Sequence, residues 1–260
     1  MRHEPSICSL RSAAKRPAKG QLFRSPRCMS GLFKGSAIAA ARPPRSYRLS
    51  RRYEAKASEG RSHLKHALLQ IDGFAPDIQQ VRESVISGDF TTEIGPDGAI
   101  YTGISKHEVQ HWFDLIAQAI EHPVVPRLSF FRMNVAGELP HSWVHSDEIC
   151  ARFAGIVYLN LPEQCRGGTA FWRHTGLHID EMPSIEQMRA GGGNPDWFCT
   201  MMNREWKDLT FWEQVGFVGM KFNRFITYPT SRFHSRYPFE GFGATPADAR
   251  LVWTCFYDLA

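Results

Sequence analysis

His145-Ser146-Asp147, then Arg152-Phe153-Ala154-Gly155-Ile156-Val157-Tyr158-Leu159-Asn160, then Gly167-Gly168-Thr169-Ala170-Phe171: this succession decides how the chain is read. The middle run is strand-like, and the glycine pair is a turn that opens a second strand. His234 follows 87 residues after Asp147, and Arg250 sixteen residues after that. Two histidines and one carboxylate on one face of an Fe(II) ion leave the opposite positions open, which is what an oxygen-activating iron requires. An arginine nearby can hold an acidic co-substrate.

Spacing alone would not carry this reading. With eleven histidines in the chain, about one H-x-[DE] is expected by accident. His178-Ile179-Asp180 fits the same pattern, but no strand and glycine turn follow it. His141 and His145 form H-x-x-x-H, yet Ser142 stands where a zinc protease needs its glutamate, which argues against that class.

Charge divides the chain. Residues 1–60 hold 14 lysines and arginines against 3 acids, and the other 200 residues hold 17 against 23. A nucleic-acid-binding face would therefore have to lie in the leader, and none is expected on the catalytic body. No run reaches the ~20 apolar residues of a membrane span. Cysteines at 8, 28, 150, 165, 199 and 255 form no C-x-x-C pair, so reduced thiols in a cytoplasmic protein are expected.

Residues 1–62 are rich in Arg, Ser, Ala and Pro and show no apolar period, so a disordered basic leader is expected there. Its readings are an organelle presequence, a nucleic-acid-binding arm, a solvated leader, or an upstream extension ahead of a start at Met29. An oxygen-handling domain then spans 63–260. His66–Asp72 reads as an entry strand and Pro76 as the opening of a helix whose Ile78, Val81 and Val85 share a face. Ser105 and Glu108 make a capping box for a second helix carrying Val109, Trp112, Phe113 and Ile116. From Leu128 short β-branched and aromatic runs alternate with Gly and Pro turns. The fold class is mainly β with flanking helices, a double-stranded β-helix of the jelly-roll or cupin kind. A helical insertion is expected at about 180–216, with helices over 183–190 and 203–214 around the Gly191-Gly192-Gly193-Asn194-Pro195 loop. Its Trp197, Met201, Met202, Trp206, Phe211 and Trp212 either line a substrate pocket or pack against the barrel.

Taken in order, His145-Ser-Asp147, Tyr158-Leu-Asn160, Gly167-Gly-Thr-Ala-Phe171, His234 and Ala249-Arg250-Leu251 resemble the successive signatures of iron(II)- and 2-oxoglutarate-dependent oxygenases, in an arrangement similar to the prolyl 4-hydroxylase-like branch. Leu69–Pro76 resembles the opening of uncharacterised bacterial members. The resemblance covers roughly residues 66 to 259. It implies Fe(II) held by His145, Asp147 and His234, with 2-oxoglutarate and O2 as co-substrates. It implies oxidative decarboxylation to succinate and CO2, and then hydrogen abstraction from a C–H bond. A carboxylate at Asp147 favours hydroxylation over halogenation, because related halogenases keep that position small.

Arg250 opens the last strand and alternation puts it on one face with Val252, Thr254 and Phe256. There it can grip the distal carboxylate of 2-oxoglutarate with two parallel hydrogen bonds. Arg236, two residues beyond His234, competes for that role. Arg224 and Arg232 read as surface or rim charges. Tyr158 and Asn160 share a strand face and either touch the co-substrate or serve the structure. Asn134 stands where the branch often has a tyrosine, and Tyr228 is its candidate replacement. The substrate is expected to be a small molecule or an amino-acyl group. Two other classes stay open: a cupin-type metal enzyme that does not use 2-oxoglutarate, and a non-catalytic jelly-roll binding module.

Overall fold

The computed structural model describes residues 68–95, 98–140, 143–148 and 150–260. The leader expected over 1–62, His66 and the His141–Ser142 pair lie outside the described residues. Ten strands and four α-helices follow in the order β1 (Leu69–Asp72), α1 (Ile78–Ser87), β2 (Thr91–Ile94), β3 (Ile100–Ser105), α2 (His111–Ala119), β4 (Val124–Asn134), β5 (Phe153–Tyr158), β6 (Gly168–His174), α3 (Ile185–Ala190), α4 (Pro195–Glu205), β7 (Trp212–Gly219), β8 (Arg224–Pro229), β9 (His234–Tyr237) and β10 (Arg250–Leu259).

The strands form a seven-stranded sheet in the order β1-β8-β5-β10-β4-β3-β2 and a three-stranded sheet in the order β7-β6-β9. All the paired strands are antiparallel. An apolar layer joins the two sheets: Ile156, Tyr158, Tyr228, Val252 and Phe256 of the large sheet meet Phe171 and Val218 of the small one. The chain is therefore a mainly β, double-stranded β-helix, as its strand and turn pattern implies.

Strand β10 shows how the period of two builds both layers. Leu251, Trp253, Cys255 and Tyr257 point to the helical side, where they pack with Trp112, Phe113 and Ile116 of α2 and with Ile78, Val81 and Val85 of α1. The alternate residues Arg250, Val252, Thr254 and Phe256 face the space between the sheets. The indole of Trp253 meets that of Trp112 edge to face with centroids 5.1 Å apart. Arg82 of α1 is buried on this side, donating from Nε to the carbonyl of Leu159 and from Nη2 to that of Ala247. It clamps the two chain segments that lead into Asn160 and Arg250.

Three local expectations are corrected. Ser105 does not cap a helix; it ends β3, paired with Phe131, and α2 begins at His111. Sheet pairing satisfies its backbone and outcompetes the cap. The β2–β3 hairpin in front of α2 is a further departure, since only helices and one entry strand are expected there. In the segment between β6 and β7, the second helix covers Pro195–Glu205 and not 203–214. Asn194 decides this: its side-chain oxygen accepts from the N–H groups of Asp196 and Trp197, and Pro195 occupies the first turn. Trp212 onward is drawn into β7 by pairing with β6.

The glycines of Gly167-Gly168 have a steric reason. Gly167 has φ +69, and a Cβ there would lie 1.9 Å from the carbonyl oxygen of Tyr237; at Gly168 it would lie 2.0 Å from that of Val218. Only glycine lets β6 enter between β9 and β7.

Candidate metal centre

The three residues singled out by spacing converge. One donor atom from each of His145, Asp147 and His234 lies within 4.8 Å of the others. Nε2 of His234 stands 3.1 Å from Asp147 Oδ2, and Nε2 of His145 stands 3.7 Å from Asp147 Oδ1. Backbone pairing brings them together. His145 and His234 form an antiparallel bridge that extends the small sheet beyond β9. The N–H of Asp147 donates to the carbonyl of Thr230 at 2.8 Å, anchoring the other end of the motif. The decoy His178–Asp180 joins no such cluster, and Asp180 instead faces Arg232 with N and O atoms 3.5 Å apart.

The donors are prepared for a cation. Nδ1 of His234 lies 2.9 Å from the carbonyl oxygen of Arg232, which fixes the proton on Nδ1 and leaves the Nε2 lone pair towards the cluster. Burial pushes the Asp147 carboxyl up, but the two imidazoles and the His234 hydrogen bond outweigh it, so its pKa lies below the ordinary value. Two imidazole nitrogens and one ionised carboxylate suit a divalent transition metal with open positions.

The cluster opens on a cavity of about 1000 Å³ between the sheets. Arg250, Val252, Thr254 and Phe256 line it, together with Asn134, Arg132, Arg236, Tyr228 and Thr169. Arg250 is only 6% exposed. Its one side-chain hydrogen bond among the described residues runs from Nη1 to Asn134 Oδ1 at 3.0 Å, so the Nε–Nη2 edge is unused. Burial lowers its pKa, with Tyr158 opposing. Arg236 differs: Nε donates to the carbonyl of Phe239 at 2.6 Å and Nη2 to that of Glu138 at 2.7 Å, so its corresponding edge is occupied. Burial, and then the charge of Arg250, push Arg236 down to about 10.

Tyr228 lines the cavity with its ring 4.8 Å from that of His234. No group among the described residues hydrogen-bonds its hydroxyl, and burial, followed by the Asp147 charge, raises its pKa well above the ordinary value. Tyr158 and Asn160 do not line the cavity. The hydroxyl of Tyr158 pairs with that of Thr169 at 2.7 Å. The Asn160 amide donates to the carbonyl of Ala249 and accepts from the N–H of Leu251, both at 2.8 Å, bracketing the backbone of Arg250. Of the two roles open to Asn160, these hydrogen bonds serve the structural one, a hold on the strand that carries the arginine. Arg224 pairs with Asp72 at the sheet edge, and Arg232 holds His234 through its carbonyl.

Sequence reasoning missed Asn134 as the partner of Arg250, and Glu138, whose Oε1 accepts from Arg132 Nη2 at 3.0 Å and from Asn134 Nδ2 at 2.9 Å. The register Arg250↔Asn134 across β10 and β4 sets the two side by side, and no local stretch of residues announces it. Around the small sheet, Phe198, Met202 and Trp212 pack on Ala170, Trp172 and Phe233 with Met201 and Phe211 against them, whereas Trp197 is exposed; none of the six residues singled out in the insertion lines the cavity. The cavity wall takes Ile185, Met188, Arg189, Pro195, Asp196 and Cys199 from α3 and α4. Cys165 and Cys255 are free thiols, whereas Cys199 is disulfide-bonded, against the expectation of reduced thiols. Among the described residues no helix is long and apolar enough to cross a membrane.

Several solved structures are similar to this chain. HygX from Streptomyces hygroscopicus, solved with iron bound, is 12% identical over 74% of this chain and 82% of its own, with a TM-score of 0.43. The epimerase SnoN in complex with Fe3+, alpha ketoglutarate and nogalamycin RO is 13% identical over 74% and 79%, with a TM-score of 0.41. The non-heme alpha ketoglutarate dependent carbocyclase SnoK from nogalamycin biosynthesis is 16% identical over the same shares, with a TM-score of 0.41. None of the curated proteins compared with the chain matches it in sequence. Residues 55–257 match the model described as a family of unknown function (DUF6445), and the chain belongs to that family.

Proposed function

We propose that this protein is an iron(II)- and 2-oxoglutarate-dependent oxygenase that hydroxylates an amino-acyl group or a small metabolite. One observation carries the reading: the His145, Asp147 and His234 cluster opens on the same cavity as a buried arginine with an unused donor edge and a tyrosine hydroxyl with no protein partner.

His145, Asp147 and His234 would hold the metal. When bound, iron and 2-oxoglutarate supply the oxygen-activating, oxidatively decarboxylating chemistry that ends in C–H oxidation. The chain's residues do the rest. Asp147 stays ionised and needs no deprotonation to act as a ligand. His234 is locked in the tautomer that offers Nε2. Arg250 offers two parallel N–H groups to the distal carboxylate of the co-substrate, and Asn134 holds the guanidinium in place. Tyr228 donates its hydroxyl to the same carboxylate and takes the place of the first-strand tyrosine of the prolyl 4-hydroxylase-like pattern. Ala154, Ile156, Val252 and Phe256 give the cavity an apolar wall.

Anaerobic titration of the purified protein with Fe(II) and then 2-oxoglutarate tests the assignment. A weak visible charge-transfer band is expected in the native protein and not in His234→Ala, followed by succinate formation against a metabolite panel. Absence of the band, together with Mn(II) binding indifferent to His145 and His234, would overturn it.

A further inference from the structure

Arg132, Arg236 and Arg250 all line the inner cavity. Arg132 touches Glu138 at 3.0 Å and Arg236 touches it at 3.5 Å, so these two arginines share one carboxylate. Arg250 has no ion-pair partner among the described residues and is the arginine that the distal carboxylate of 2-oxoglutarate would meet. The Nε of Arg132 is buried and has no hydrogen-bond partner, which is unfavourable for a charged group.

Arg132 therefore has a donor to spare. On β4 it stands opposite Val252, one inward-facing pair along from Asn134 and Arg250. It therefore lies on the side of the co-substrate seat that leads towards β3. Its guanidinium carbon sits 4.8 Å from the centre of the Tyr101 ring, so the group is held by the face of that ring and by Glu138. Beyond it the mouth carries both signs, Lys106 and Arg189 with Glu93, Glu108 and Asp196, where water screens them. The cavity, at about 1000 Å³, reaches the upper end of small-molecule sites and keeps most of its space after a co-substrate as small as 2-oxoglutarate is seated.

Building on the function proposed above, we infer that the substrate bears a carboxylate, seated on Arg132 between the Tyr101 ring and the co-substrate. The apolar wall of Leu128, Phe130 and Phe256 then receives the rest of the molecule. A substrate without an acceptor at this place would leave the Nε of Arg132 unpartnered.

Calorimetry on the full chain loaded with Mn(II) and 2-oxoglutarate tests this. The probes are N-acetyl amino acids, each paired with its primary amide. In the native protein the acids bind about tenfold or more tighter than their amides. In Arg132→Gln that preference falls below about twofold, in Arg132→Lys it is partly kept, and in both variants 2-oxoglutarate affinity stays within about threefold. Equal affinity for acid and amide, both undetectable included, overturns the inference. So does a preference that survives Arg132→Gln, or a tenfold loss of 2-oxoglutarate affinity in that variant. Failure of the native protein to take up Mn(II) and 2-oxoglutarate at all brings down the oxygenase reading with it. Uptake without acid preference sinks only the carboxylate.

Discussion

The backbones of His145 and His234 exchange a reciprocal pair of hydrogen bonds, His145 N–H to His234 O at 3.1 Å and His234 N–H to His145 O at 2.9 Å. Two imidazoles far apart in the chain are thereby held as one cross-strand pair, with ring centroids 4.4 Å apart, before any metal arrives. The donor positions belong to the fold, so removing one donor should leave the fold intact.

Asp147→Ala should therefore lower Mn(II) affinity by more than about 100-fold, beyond the loss usual for a supporting residue. Its far-ultraviolet circular dichroism should match that of the native chain. Calorimetry and spectra read both. Retained metal binding would remove Asp147 from the ligand set.

The two arginines should separate cleanly. Arg250→Gln removes the free donor edge and should raise the KM for 2-oxoglutarate by about 100-fold, in keeping with the roughly 2–5 kcal/mol lost when one partner of a buried charged pair is truncated. Arg236→Gln should change it by less than about threefold, because the Nε and Nη2 of Arg236 already serve the carbonyls of Phe239 and Glu138. The reverse order would move the co-substrate seat to β9.

Tyr228→Phe removes a hydroxyl with no protein partner. The melting temperature should hardly move, while 2-oxoglutarate affinity should drop by about three- to tenfold, the worth of one hydrogen bond. A fall in stability with unchanged affinity would assign Tyr228 to the core alone.

Acid stability should follow Asp72 at the β1–β8 edge. Hydrogen bonds from Arg224 and then Lys221 hold its carboxyl well below the ordinary value, with burial opposing weakly. A depressed folded-state pKa stabilises fully above the unfolded value of about 3.9 and is lost as pH falls through the folded one. Asp72 is 38% exposed, so solvent screening keeps the effect small. Asp72→Asn should flatten the decline of melting temperature below about pH 4 and leave the alkaline limb unchanged. Parallel curves for the two proteins would discard the idea.

Some of this is local and therefore readable from residue order. The period of two in Arg250, Val252, Thr254 and Phe256 puts the arginine and its apolar neighbours on one face whatever the strand pairs with. The 3.6-residue stripe of α2 marks Trp112, Phe113 and Ile116 as core. Donor chemistry at His145, Asp147 and His234 also needs no coordinates. Competition is not local: the cap signature at Ser105 lost to sheet pairing, and Asn194 moved a helix by capping it.

From its residues alone, this chain's donor types, strand faces and mainly β class were determined, because each depends on a side chain's identity and its immediate neighbours. Only the tertiary structure decided that His234 pairs with His145, that Asn134 holds Arg250, that carbonyls occupy Arg236, and that Arg132 and Arg236 share one glutamate. Those contacts join residues from separate strands and loops. Their geometry follows from sheet register and cavity shape, which no short window of sequence contains.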